Sequence, residues 1–312
     1  SIGRVDKWLQ PYFLADMAKC RDDEERKRTI KRAVELVGCF FLRCTDHLPQ
    51  VADLGNKLFG GSSSDQAITL GGVLEDGTNN VSDMTFIILK ISEMLRLRDP
   101  NLNAKYHPGV NSDAYLRRLC EVNMLTGSAP SIHNDTAVIS AMVNQGFAVE
   151  DARDWSATGC VEPTSSGRHF GHTNCMMFSL VAPLEMAFYN GYHPLCDDQI
   201  GPKTGDVPSF DTFEKFLNAY KEQLRWLSQK SIECNNLYGE THRVIRPTPF
   251  LSGLIRGCLA KGKDVTYGGA QYNSSGTAMI GLTDVVDSLM AVKKLVYEEK
   301  RVGFDTLLDA LR

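Results

Sequence analysis

No apolar run in the 312 residues approaches the roughly 20 needed to cross a bilayer as a helix, so a membrane partner is not expected. The first residues, Ser1 to Lys7, are polar and charged where a secretory signal would turn apolar, and the expected compartment is the cytoplasm. A basic surplus is missing as well. Lys and Arg total 34 against 38 Asp and Glu, for a net charge of −4, which leaves no electrostatic footprint for nucleic acid. The nine cysteines, at positions 20, 39, 44, 120, 160, 175, 196, 234 and 258, include no C-x-x-C pair and are odd in number. Neither a disulfide framework nor a zinc site is expected, and most are expected to be buried as small apolar residues. Repeats, low-complexity stretches and long charge runs are also absent. What is present is 43% hydrophobic and 23% charged residues, enough to bury a sizeable core and to exclude disorder as the main state. Small molecules or proteins are the expected partners.

Short Gly, Pro and Ser clusters punctuate the chain. Residues 22–47 open with Asp22, Asp23, Glu24 and Glu25 and continue with Ile30, Val34, Val37, Phe40 and Phe41, the spacing of a long helix packed on one face. Ala67 to Val73 is short, apolar and flanked by serines and glycines, as a buried strand is. Helical periodicity returns over Ser82 to Leu97 and stops at Asp99-Pro100. Asn101 to Tyr106 reads as a second strand, followed by helices over Asp113 to Leu125, from Asn134 or Asp135 to Asn144, and over one turn from Glu150 to Asp154. Ser156 to Pro163 reads as a short strand entering a loop. Beyond it, Cys175 to Tyr189 is apolar enough for a core helix ending at Asn190-Gly191. Further helices are expected over Phe210 to Cys234, Phe250 to Leu259, Leu282 to Glu299 and Phe304 to Leu311. Strands spaced by helices, with helix dominant, make the fold class α/β.

The segment around Cys160 is the informative one. Cys160 lies between Gly159 and Pro163, residues that bend backbone, so its side chain is presented at a tip, and Glu162 follows two places later. A charged carboxylate beside a thiol raises the thiol's pKa, the wrong direction for a thiolate nucleophile. The pair suits a cysteine working as neutral thiol or sulfur radical, with the carboxylate serving the substrate. A buried structural cysteine beside a loop-capping glutamate is the bland alternative.

Thr158-Gly159-Cys160-Val161-Glu162-Pro163 resembles the thiyl-radical loop of the glycyl radical enzymes, the superfamily of pyruvate formate-lyase. Pro130-Ser131-Ile132-His133-Asn134-Asp135 and Gly146 to Asp154 resemble the segment leading to that cysteine, and Asn190-Gly191 follows as in relatives. Pro247 to Ser252, Gly268-Gly269-Ala270-Gln271-Tyr272-Asn273, Asp287-Ser288-Leu289 and Lys293-Lys294-Leu295 are similar to later parts of the catalytic domain. Ser1 to Asp6 and Gln66 to Gly72 match near the start. The resemblance covers essentially the whole chain in the family's order.

It implies a helix-rich, partial ten-stranded β/α barrel, with the Cys160 loop held in an enclosed, water-free centre. It also implies a radical on a distant C-terminal glycine, installed by an activating enzyme that uses S-adenosylmethionine and an iron–sulfur cluster, with no cofactor bound directly by this chain. The Cys160 thiyl then abstracts hydrogen from a small-molecule substrate under anaerobic conditions, and Glu162 acts as base. Arg301-Val302-Gly303-Phe304 only superficially imitates the radical loop. The expectation is therefore an internal fragment, residues 1–312, without the N-terminal part and the glycine radical domain and inactive alone; a homodimer is compatible with it.

Val161 stands where pyruvate formate-lyase has a second cysteine, so acyl transfer by that route is not implied. Asn174 falls where diol dehydratases have an acidic residue, and an amide cannot take a hydroxyl proton. His193 and Ser1 match positions near the substrate in hydroxyphenylacetate decarboxylases, and His172 lies in the loop that lines the pocket in relatives. The favoured expectation is an arylacetate-type decarboxylase; the alternatives are a diol or hydroxyproline-type dehydratase, a truncated non-catalytic relative, or a conventional cysteine nucleophile with His172 as base. Arg168 and Arg4 are read either as substrate carboxylate partners or as surface residues. His169 and His172 lack a third ligand, so no metal is expected.

Overall fold

The apolar segment after the serine cluster is a strand. In the computed structural model, which describes residues 1–45, 66–171 and 176–311, β1 (Ala67–Gly71) is buried at every residue. It pairs in parallel with β2 (Asn101–Tyr106), from Ala67 opposite Asn101 to Gly71 opposite Lys105. β2 pairs in parallel with β3 (Ser131–Asn134), which sets Lys105 opposite His133. β3 was not expected as a strand, because its four residues alternate between half-buried and exposed and contain no apolar run.

Parallel neighbours require crossovers, and here helices make them. The chain divides into two units, and the first holds residues 1–170 with short segments at 254–260 and 270–272. In it, α1 (Val5–Met17) and α2 (Asp23–Thr45) precede β1, α3 (Asp83–Leu95) joins β1 to β2, and α4 (Asp113–Thr126) joins β2 to β3. α5 (Asp135–Asn144) and α6 (Val149–Arg153) follow. Side chains mark their starts: Ser112 Oγ accepts from the Tyr115 N–H at 3.3 Å, and Asn134 Oδ1 accepts from the Ala137 N–H at 3.2 Å.

Successive strand residues point to opposite faces. Ile68, Leu70, Leu102 and Ala104 join a core with Val5, Phe41, Ile88 and Leu119. Thr69, Asn103 and Lys105 face the other way, and they are also fully buried. Over that polar face runs β4 (Trp155–Thr158), whose Ala157 N–H donates to Thr69 Oγ1 at 2.8 Å. β4 returns as β5 (Glu162–Ser165) in an antiparallel hairpin with Thr158 opposite Glu162. A short β6 (His169–Phe170) comes next, and the Tyr272 N–H donates to the Arg168 carbonyl at 3.0 Å.

The second unit comprises residues 171–253, 261–269 and 273–312. Here one expectation is corrected: Cys175 to Tyr189 is not a single helix. Met176–Ser179 forms β7, α7 (Val181–Phe188) begins only after Leu180, and Cys175 lies outside the described residues. The parallel ladder from β7 to Thr277–Ile280 satisfies the backbone that a helix would have satisfied, and a short apolar run has no period to distinguish the two. The stop at Asn190-Gly191 is as expected, with φ of 53° and 87°. A Cβ on Gly191 would stand 2.3 Å from the Pro202 carbonyl oxygen, so only glycine fits. β8 (Tyr192–His193) and β9 (Asp198–Gln199) form a small antiparallel pair.

α8 (Phe213–Ile245) runs well past the expected end at Cys234. Its Phe216, Ala219 and Tyr220 pack with Leu184 and Phe188 of α7 and with Val285 and Val292. The helix expected over Phe250 to Leu259 is broken into Pro249–Leu254 and Cys258–Lys261, with Gly257 at φ 103° between them. Leu282–Val292 is α-helical and continues as a π-helical turn over Lys293–Glu298, and Phe304–Leu311 is the expected terminal helix. Among the described residues no helix is long and apolar enough to cross a membrane.

The cysteines correct a second expectation. Cys44 and Cys258 are buried, but Cys39, Cys120, Cys160, Cys196 and Cys234 are exposed. Cys39, Cys120 and Cys234 lie on outward faces of long amphipathic helices, where burial is set by position on the helix and not by residue type.

Candidate active site

The β4–β5 turn is built by its glycine and its glutamate. Gly159 has φ 61°, and a Cβ there would lie 3.0 Å from Glu162 Oε2. The carboxylate folds back over the turn, and its Oε2 accepts the Val161 N–H at 2.8 Å. Cys160 and Glu162 are thus held on one three-residue turn. Glu162 is half-buried, whereas Cys160 and Val161 are exposed. This corrects the expectation of a sulfur enclosed within these residues: the hairpin carries the turn beyond the strands that bury its base, Trp155, Ser156 and Ala157.

Two asparagines of β2 grip this turn. Asn103 Nδ2 donates to the Cys160 carbonyl at 3.3 Å, and Asn101 Nδ2 donates to the same oxygen and to the Gly159 carbonyl at 3.2 Å. Asn103 Oδ1 lies 2.8 Å from His133 Nε2 on β3. The His133 ring sits edge-on to Trp155 with centroids 5.1 Å apart, and Trp155 Nε1 donates to Asp135 Oδ1 at 2.6 Å.

Beneath lies a buried ionic group. Lys105 Nζ is 3.5 Å from Asp135 Oδ1 and donates to the Arg153 carbonyl at 2.6 Å. Burial, aided by the Arg4 charge, pushes the Lys105 ammonium down to about 7 against the pull of Asp135 and Asp154. Burial likewise lowers His133, with Asp135 opposing. Asp6 is raised by burial although it accepts from the Gly71 N–H and the Thr85 hydroxyl, each at 2.7 Å. Arg4 is buried, pairing with Asp154 at 3.1 Å and donating to the Gly71 carbonyl at 2.9 Å. Arg168 lies 3.2 Å from Asp151 and 3.5 Å from Asp154. Both arginines are held by aspartates of this chain, and the expectation of a surface position is corrected for Arg4, which is buried.

Of the other expected site residues, Ser1 is in the first unit, with Oγ 3.3 Å from Ser156 Oγ on β4. His193 is in the second unit, half-buried on β8. His172 and Asn174 lie outside the described residues. Sequence reasoning gave no role to Asn101, Asn103, Lys105 or His133. A signal existed for the first three: in Asn-Leu-Asn-Ala-Lys-Tyr they occupy alternate positions of an expected strand and so share a face.

Parallel strands joined by helices, with a cysteine and a glutamate on one hairpin turn, define a class, and comparison with known proteins makes it specific. The chain belongs to the pyruvate formate lyase-like family, whose model matches residues 1–312. It is 30% identical over 311 residues to a trans-4-hydroxy-L-proline dehydratase of Clostridioides difficile, covering 99% of this chain and 38% of that protein. It is 28% identical over 319 residues to a (2S)-3-sulfopropanediol dehydratase of Klebsiella oxytoca, covering 100% and 37%. A solved structure concerned with 1,2-propanediol dehydration in Roseburia inulinivorans superposes with a TM-score of 0.85 at 32% identity, over 99% of this chain and 38% of that one. The fold is thus the helix-rich α/β fold of the glycyl radical enzymes, in part. The glycyl radical subunit of a 4-hydroxyphenylacetate decarboxylase from Clostridium scatologenes is more distant, at 23% over 335 residues. The similarities thus favour the dehydratase alternative over the decarboxylase expectation. The chain spans somewhat over a third of the length of these relatives.

Proposed function

We propose that this chain is the cysteine-loop core of a glycyl radical dehydratase that removes water from a small hydroxylated substrate. The observation that carries it is the turn that holds Cys160 and Glu162 together, in a chain similar over its whole length to dehydratases. The enclosure that the sulfur requires falls to polypeptide beyond these residues, which the greater length of the relatives supports. An activating enzyme with S-adenosylmethionine and an iron–sulfur cluster installs the radical on a glycine elsewhere, under anaerobic conditions in the cytoplasm, and the chain itself binds no cofactor.

The radical's contribution is to take the hydrogen atom from the Cys160 thiol. With a vicinal diol as the substrate, Cys160 Sγ then takes a hydrogen atom from one hydroxyl-bearing carbon, and Glu162 accepts that hydroxyl's proton. The neighbouring hydroxyl leaves with the proton returned from Glu162, as water. Cys160 gives its hydrogen atom back to the carbon that lost the hydroxyl, leaving a carbonyl product and a balanced cycle. Ser1, whose Oγ lies 3.3 Å from Ser156 Oγ on the strand leading to Cys160, helps orient the substrate.

The test is anaerobic activation of the full-length protein that contains this chain, followed by NMR of products from diols, hydroxyproline, choline and arylacetates. A dehydrated product is expected; decarboxylation of an arylacetate with every hydroxylated substrate untouched overturns the reading. Cys160→Ser should abolish turnover and Glu162→Gln should lower it by roughly 10²–10⁴-fold, with the glycyl radical signal intact in both.

A further inference from the structure

Asn103 is fully buried, and its amide is engaged at both ends, by the Cys160 carbonyl and by His133 Nε2. The two ends of an amide are assigned by what they face. A carbonyl only accepts, so the amide nitrogen must point at Cys160 and the amide oxygen at His133, which requires a proton on His133 Nε2. Reversed, the amide would set oxygen against oxygen at the cysteine loop and lose the bond to the Cys160 carbonyl. His133 is in turn held against Trp155, the first residue of the strand leading to Cys160, and Trp155 is anchored on Asp135. The chain of contacts therefore starts in the buried ionic group and ends on the peptide that carries the sulfur. With that peptide pinned, and the Gly159 peptide before it pinned by Asn101, χ1 is the rotor left between the backbone and Sγ.

We propose that His133 is a positioning residue: it orients the Asn103 amide, and through it fixes the Cys160 peptide and the place from which Sγ takes hydrogen. This rests on the thiyl reading above and adds to it a specific determinant outside the cysteine loop.

The experiment uses the full-length protein, activated anaerobically. His133→Phe keeps a ring beside Trp155 and removes the donor, whereas His133→Gln keeps a donor for Asn103. His133→Phe should lower kcat by roughly tenfold to a hundredfold with KM unchanged, because a displacement of about 1 Å is costly in hydrogen transfer. The amount of glycyl radical measured by electron paramagnetic resonance should not change, the isotope effect with substrate deuterated at the reacting carbon should rise, and His133→Gln should recover most of kcat. Equal losses in the Phe and Gln variants, a rise in KM alone, or wild-type turnover in the Phe variant overturns the proposal. Cys160→Ser is run alongside. If it turns over normally, the thiyl reading itself fails; if it is dead while His133→Phe is unimpaired, only the positioning role fails. Should His133→Phe not accumulate, His133→Leu against His133→Gln makes the same comparison.

Discussion

On one face of the β1–β2–β3 sheet, Ile68, Leu70, Leu102 and Ala104 meet the helices with carbon alone. On the other, Thr69, Asn103, Lys105 and His133 meet the β4–β5 hairpin and its surroundings through directed hydrogen bonds and one ion pair. Seven of these eight residues belong to just two strands, and all seven are fully buried. Equal dryness has different consequences on the two sides. Apolar contact is non-directional and tolerates replacement by shapes of similar volume. A buried polar contact defines a geometry, and leaving one partner unmet costs more than the pair contributes. The sheet stabilises the fold with one face and positions the cysteine turn with the other.

The sharpest way to break this contrast is Lys105→Met, which leaves the Asp135 carboxylate buried without its cation. Measured at pH 6, where Lys105 is mostly charged, the expected loss is about 3–5 kcal/mol in denaturant unfolding, and adding Asp135→Asn should restore part of it. The same variant has a pH signature. Lys105 titrates near 7 in the folded chain against 10.5 ordinarily, so between those values the unfolded chain binds the extra proton. Wild-type stability should therefore rise with pH across that window relative to Lys105→Met. A melting-temperature difference that stays flat from pH 7 to pH 10 would show that Lys105 is not held in its uncharged form.

On the apolar face, Leu102→Ala should cost about 2–5 kcal/mol through lost burial and a cavity, yet leave kcat of the activated full-length protein unaltered at temperatures where it stays folded. A selective loss of kcat in this variant would erase the division between the faces. The smallest effect belongs to a site outside both: Ser112→Ala removes the cap of α4 and should cost about 1 kcal/mol, read as a shifted midpoint with an unchanged denaturant slope.

Much of this framework was legible along the chain. The acidic first turn of α2, the Asn134 cap, and the left-handed pair Asn190-Gly191 are local signals whose physical causes act within a few residues. The strands Ser131–Asn134 and Met176–Ser179 were not legible, because what makes them strands is a partner distant in sequence. Cys160 and Glu162 stood out through spacing and family resemblance. Their holders did not, because Asn101 and Asn103 precede the turn by nearly sixty residues and nothing local announces the contact.

The order of residues determined by itself that Asn101, Asn103 and Lys105 share one side of a strand while Leu102 and Ala104 share the other, since the pleat repeats every two residues. It determined as well that Gly159 permits a tight turn bearing a cysteine and a carboxylate. Tertiary structure alone decided that the polar side would be buried instead of wet. Only packing of the hairpin over it, with His133 and Asp135 arriving from β3 and α5, supplies the partners that a buried amide and ammonium need.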